Sequence, residues 1–139
     1  MNDNELLMEI LTSMGFNPKV DEDGDINFRY HMKSIYVRIV EENGPFCYLL
    51  YPQFYEIEEG EDILVMAACN NYSRRIRVAK TYIDATYQNV SGSFEFYFTD
   101  KETLSHYLEK ALVTIDTMRR VFMEELTTLK EASESDDDA

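Results

Sequence analysis

Tryptophan is absent from this chain, and cysteine, proline and glycine are scarce, at two, three and five of 139 residues. Each shortage excludes something. Two cysteines, Cys47 and Cys69, cannot build a disulfide-stapled scaffold or a four-thiolate zinc site. Both sit among apolar neighbours, which fits reduced, buried thiols in a cytoplasmic protein. The glycines stand singly, so no glycine-rich loop is present to cradle a phosphate. Bases are also few: 13 Lys and Arg stand against 27 Asp and Glu, for a formal net charge of −14. Such a surface repels nucleic-acid backbones and anionic membranes, whose binding needs clustered cations. The longest apolar run, Ile63 to Cys69, is 7 residues, far short of the roughly 20 that span a bilayer. The opening MNDNELLMEI has neither the basic start nor the apolar run of a signal peptide.

What the chain does have is enough apolar material for one core: 45% hydrophobic residues, with ten Tyr and eight Phe. Leu6, Leu7, Ile10, Leu11 and Met14 recur at helical spacing, with Asp3 or Asn4 as the cap and Gly15 past the end. Ile26, Phe28 and Tyr30 alternate, as do Ile35, Val37 and Ile39, and HMK joins the two runs. Asn43-Gly44 marks the next turn. Phe46 to Tyr51 is apolar at every position, which predicts a strand covered on both faces, weakened by Pro52. EEGEDILVMAACNNYS reads as a second helix ended by Asn70, Asn71 and Ser73, and RRIRVAKTYI as a strand. VSGSFEFYF is a further strand with Val90, Phe94, Phe96 and Phe98 on one face. Thr99 and Glu102 form a capping box for a last helix striped by Leu104, Leu108, Ala111, Ile115, Met118, Phe122 and Leu126.

These elements predict an α+β fold in the order α-β-β-β(-β)-α-β-β-α, an antiparallel sheet of about five to six strands with helices on one face. Residues 1–130 form the single domain. Glu131 to Ala139 carries five acids and no base, and is expected to be a disordered tail. Removing those five charges from −14 leaves a body still at −9.

The most motif-like stretch is VDEDGDINF, Val20 to Phe28. A calcium loop started at Asp21 would place Asp23 and Asp25 as ligands. Yet glycine then falls at position four rather than six, and Met32 stands where the bidentate Glu belongs. The stretch reads instead as a tight turn between two strands. His31 and His106 have no metal-ligand partner at a recognisable spacing. Serines lie in no nucleophile elbow, and no carboxylate pair sits in an apolar setting. No catalytic, cofactor-binding or metal-binding residue is therefore expected. Arg74 to Arg77, with Lys80, is the densest basic cluster. It reads as a solvated strand face or as a contact for an acidic partner, including the chain's own tail.

Several strings in order resemble the YbjN-type family, which is labelled as candidate bacterial sensory transduction regulators. They are a first helix ending in MGF, then VDEDGDINF, IYVRIVEE, YPQFYEI and AACNNYSRRIRVAKTYI, and finally FEFYF with the last amphipathic helix. Ala68, Asn70 and Asn71 match the family's helix end, and Lys80 to Ile83 its following strand. The resemblance spans residues 4–126 and implies a fold like that of type III secretion chaperones. It offers no catalytic residue to carry over. The function expected is a non-enzymatic, cytoplasmic protein-interaction module, chaperone-like or regulatory, binding a protein or peptide, with neither nucleic acid nor membrane as partner. The rival is a small-molecule sensor or an enzyme using a cleft between sheet and helices.

Period-two alternation says where a partner would bind. With Ile26, Phe28, Ile35, Val37, Phe94, Phe96 and Phe98 turned to the helices, the opposite face carries Asn27, Arg29, Tyr36, Arg38, Val40, Glu95 and Tyr97. The adjoining strand adds either Cys47, Leu49 and Tyr51 or Phe46, Tyr48 and Leu50. Tyr and Arg are enriched at binding hot spots. Arg29, Tyr36, Arg38 and Tyr97 are the expected partner or homodimer residues.

Overall fold

The computed structural model describes residues 2–138, with side chains for residues 2–135. α1 (Asp3–Ser13) is capped by Asn2, whose side chain accepts the Glu5 N–H at 2.8 Å. The cap falls one residue before the expected Asp3, and Asn4 instead donates to the Gly24 carbonyl at 3.2 Å. Gly15 takes the left-handed conformation that ends the helix.

β1 (Lys19–Val20) and β2 (Ile26–Tyr30) pair antiparallel across the acidic stretch. Asp21 organises the turn: its carboxylate accepts the N–H groups of Asp23 at 2.9 Å and Asp25 at 3.0 Å. VDEDGDINF is therefore a hairpin turn. Among the described residues no group of three or more His, Cys, Asp and Glu is placed to hold a metal.

β3 (Lys33–Glu41) returns after His31 and Met32, both at positive φ, the backbone that matches a two-residue hairpin to strand twist. β4 (Pro45–Glu56) is longer than the sequence suggests. Pro52 does not end it, because the pairing with the next strand shifts between Tyr51 and Tyr55 and absorbs the missing donor in a bulge. At that irregularity Gln53 sits at positive φ and donates its N–H to the Ser91 hydroxyl at 2.9 Å.

α2 (Asp62–Arg75) starts later and ends later than the pattern implies. The expected strand RRIRVAKTYI shrinks to β5 (Lys80–Ile83). Arg74 and Arg75 instead fill the helix's last turn, where the dipole favours cations. β6 (Asn89–Tyr97) completes a six-stranded antiparallel sheet in the order β1-β2-β3-β4-β6-β5.

α3 (Lys101–Asp138) begins at a box one residue beyond the expected Thr99 and Glu102. Asp100 accepts the Thr103 N–H at 2.8 Å, and the Thr103 hydroxyl accepts the Asp100 N–H at 3.0 Å. The helix runs on through Asp138, into the segment expected to be disordered, with the side chains of residues 131–135 exposed. Extending a formed helix adds one hydrogen bond per residue fixed, without a new nucleus. Ala139 lies outside the described residues.

The core lies between the sheet and the helices. All seven residues of the predicted α3 stripe are buried, as are Leu7, Ile10, Leu11, Val65, Ala68 and Tyr72 of the other helices and Val90, Phe94 and Phe96 of β6. Cys47 and Cys69 are free thiols in this core. The rear of the molecule is closed by Glu61, which is only 5% exposed. Its carboxylate accepts the Tyr55 hydroxyl at 2.5 Å and the Glu58 N–H at 2.7 Å, and pairs with the Lys130 ammonium at 2.7 Å. Burial alone would raise this carboxyl's pKa. The Glu58 N–H, Lys130 and Tyr55 together bring it below the usual value, so the group stays ionised.

Gly92 marks where α3 comes down onto β6. A Cβ there would overlap the Met118 sulfur and press on the Lys80 carbonyl. Gly92→Ala is expected to lower stability by about 1–3 kcal/mol, the usual cost of overpacking. Urea unfolding of the two proteins checks it, and equal midpoints would mean the helix stands off the sheet. Ending the chain at Lys130 removes the acidic end, whose side chains at residues 131–135 are exposed, while keeping the Glu61 partner. Its melting temperature is expected to match or slightly exceed that of the full chain as self-repulsion falls. A calorimetric scan that lost several degrees would show that the end contributes to the fold.

Candidate interaction surface

All three helices sit on one side of the sheet, so its other side is open. The ladder registers lay that side out in cross-strand rows. Tyr36, Leu50 and Ser93 form one, Arg38, Tyr48 and Glu95 the next, and Val40, Phe46 and Tyr97 the third. Of the two sets the sequence left open for β4, Phe46, Tyr48 and Leu50 face outward, while Cys47 and Leu49 are buried toward the helices. The expectation that this strand is covered on both faces is corrected here. Phe46, Tyr48 and Leu50 are half-buried by their cross-strand neighbours alone.

The charged groups on this face are mostly engaged with each other. Arg38 forms an ion pair with Asp25, and its guanidinium lies 5.9 Å from the centre of the Tyr48 ring. Lys80 pairs with Glu95 at 3.2 Å. Phe46 and Tyr97 meet edge to face at 5.0 Å, and Tyr97 is 53% exposed. The structure therefore puts Tyr36, Arg38 and Tyr97 around one apolar strip, Val40, Phe46, Tyr48 and Leu50. Arg29 stands at its corner, where it donates to the Ser34 hydroxyl at 3.0 Å and the Met32 carbonyl at 2.9 Å. It braces the β2–β3 turn.

A second concave region lies where that turn meets α3. It is a groove of about 830 Å³ bordered by Met32, Tyr51 and Met123 together with charged residues. Asp116 is its centre. It accepts from Lys33 at 3.2 Å and lies 2.8 Å from the His31 ring nitrogen Nδ1. The His31 hydrogen bond, and then Lys33, hold its carboxyl below the usual aspartate range. The other cations of the groove are also engaged: Arg119 donates to the Phe54 carbonyl at 3.3 Å and Arg120 to Glu124 at 2.8 Å. Asp116 escaped the sequence reading because it lies 85 residues from His31, on another element.

The basic cluster resolves in the same way. Arg75 reaches Glu124 at 3.4 Å and Glu125 at 3.5 Å on α3, so part of it meets the chain's own acids. His106 is exposed beside the Tyr107 ring.

No family model and no curated protein matches the sequence. Among solved structures, the chain is similar to YbjN from E. coli, a candidate transcription regulator. The TM-score is 0.63 at 9% identity, over 88% of this chain and 90% of that one. The chain has the YbjN-type α+β fold, with a six-stranded antiparallel sheet and three helices. Among the described residues no helix is long and apolar enough to cross a membrane.

The Asp116 contacts carry a pH signature. A carboxyl whose pKa is depressed on folding contributes stability above its unfolded value of about 3.9 and loses it as pH falls through the lower folded value. Asp116→Asn is therefore expected to be less stable than wild type at about pH 7, with a smaller gap at about pH 3. Urea midpoints at both pH values check this, and a gap undiminished in acid would show that packing rather than charge holds the groove.

Proposed function

We propose that the chain is a non-enzymatic, cytoplasmic interaction module that receives a protein or peptide on its open sheet face. One observation carries the reading. The strip Val40, Phe46, Tyr48 and Leu50 is apolar, half-exposed and central, and it is framed by the aromatic and cationic residues Tyr36, Arg38 and Tyr97. A solvated sheet face alternates apolar residues inward and polar residues outward. This one places aromatic and aliphatic side chains outward on its central strand, the composition of a binding core with a charged rim. The resemblance to a candidate regulator agrees with an interaction role and adds no residue to it.

A small-molecule sensor is the second reading, favoured by the groove at Asp116. Its volume exceeds the roughly 300 Å³ at which ligand pockets begin, and polar groups converge on it. Its charges already satisfy one another, which makes it the weaker candidate.

The double variant Tyr36→Glu, Tyr97→Glu tests the first reading. Tagged wild type and variant are used as bait in cell extract and the captured proteins compared by mass spectrometry. The variant, folded by circular dichroism, is expected to lose at least one partner that wild type retains. Identical captures would make the face passive.

A further inference from the structure

Most cations of this chain are tied down. Acids hold Lys33, Arg38, Lys80 and others in ion pairs, and main-chain carbonyls hold Arg29 and Arg119. Arg77 and Lys110 are held in neither way among the described residues. They lie on different elements, Arg77 between α2 and β5 and Lys110 on α3, yet they border the same groove, of about 620 Å³. Sites for small molecules fall in this size range.

The rest of the groove is largely apolar. Phe94 of β6 forms its floor, with Val113 of α3 on one side and Val78 on the other. Both valines stand in solvent, Val113 at 67% and Val78 at 63% exposure. Val78 is displayed there by a γ-turn: the Ala79 N–H bonds the Arg77 carbonyl at 2.8 Å, and Val78 takes φ of +69°. That backbone is an outlier for a β-branched residue. Packing does not explain it, because the side chain it presents is not buried. Glu109 is the one acid on the rim, so two cations against one acid leave a single positive charge, with His106 left uncounted.

We propose that this groove binds a small monocarboxylate with an apolar body. The Arg77 guanidinium, whose planar fork matches a carboxylate in two parallel bonds, takes the head group together with the Lys110 ammonium. The body of the ligand lies over Phe94 between Val78 and Val113, and covers apolar surface that otherwise faces water. Glu109 sets the charge of the ligand. One carboxylate neutralises the surplus on the rim, and a second negative charge meets Glu109 with no cation left to balance it. The Asp116 groove differs on this point, because its cations are already held by acids and by the Phe54 carbonyl. Arg77 is also the end of the basic run Arg74 to Arg77, whose first two residues belong to α2. This inference goes beyond the interaction reading above and does not depend on it.

Titrating the isotope-labelled full chain with sodium octanoate, and following the amide shifts by NMR, tests the inference. Saturable shifts are expected at Val78, Lys110 and Val113, with a Kd below about 1 mM. The alcohol n-octanol has the body without the charge and is expected to bind about tenfold more weakly. Acetate has the charge without the body and is expected to give no saturable shift. The double variant Arg77→Gln, Lys110→Gln is expected to bind octanoate only as well as octanol, with octanol binding unchanged. Val78→Gly removes one wall and relieves the turn, since glycine takes positive φ freely. It is expected to keep the wild-type circular dichroism spectrum and to bind both probes more weakly. The absence of saturable shifts up to about 5 mM octanoate would overturn the inference. So would shifts centred on Lys33 and Met123 at the other groove, octanol binding as tightly as octanoate, or a Val78→Gly protein with wild-type affinity. A double variant that keeps the preference for octanoate would do the same, and if that variant unfolds, the octanol comparison on wild type decides.

Discussion

One apolar stripe, laid by α3 across β4 and β6 and against α2, fixes where everything else in the molecule goes. Leu104, Leu108, Ala111, Ile115, Met118, Phe122 and Leu126 are each at most 1% exposed. Fully burying one large apolar side chain is worth about 1.5–3 kcal/mol, so no other element contributes as much. The stripe can lie this close only because β6 carries glycine at position 92, under Met118. With the helices committed to one side of the sheet, the other side is left with only its cross-strand contacts. Its half-exposed aromatic strip is thus a consequence of how the core is filled.

Charge follows the same division. The chain carries about two acids for every base, and many of its cations are spent tying elements together. Lys130 reaches back to Glu61 and closes the far end of α3 onto the start of α2. Lys33 secures the β2–β3 turn to α3 through Asp116, and Arg75 joins α2 to α3. Most of these pairs are partly exposed, and each is worth little alone. The Glu61 pair differs because its carboxylate is buried, where losing a partner leaves a charge uncompensated.

The fold was largely legible in the sequence, because its strongest signals are local and periodic. The α3 stripe, the alternation of β2, β3 and β6, and the turns at Gly24, Met32 and Asn43-Gly44 are set by spacing and backbone freedom within a few residues. The misreadings came where a distant partner overrode a local preference. Arg74 and Arg75, next to β-branched residues, look like strand, but α2 continues through them and Arg75 finds acids on α3. Pro52 looks like a strand end, but the pairing with β6 absorbs it in a bulge. For the open face, alternation located Tyr36, Arg38 and Tyr97. It could not choose between the two outward sets of β4, since that strand is apolar at every position, and the choice depends on which side the helices occupy. Asp116 and the Glu61 clasp had no sequence signal, because their members are far apart in the chain.

The two thiols illustrate what it means to be held inside this core. Cys47 lies on the helix side of β4 and Cys69 on the inner side of α2, and burial pushes both thiols above their ordinary pKa, Cys47 far above it. Oxidation and alkylation proceed through the thiolate, which is nearly absent at both positions while the molecule is closed. Modification of either thiol must therefore wait for the sheet and helices to part. Its rate in an oxidant is set by how often the core opens, and each mutation that loosens packing shortens the chemical lifetime of these thiols as well as lowering stability.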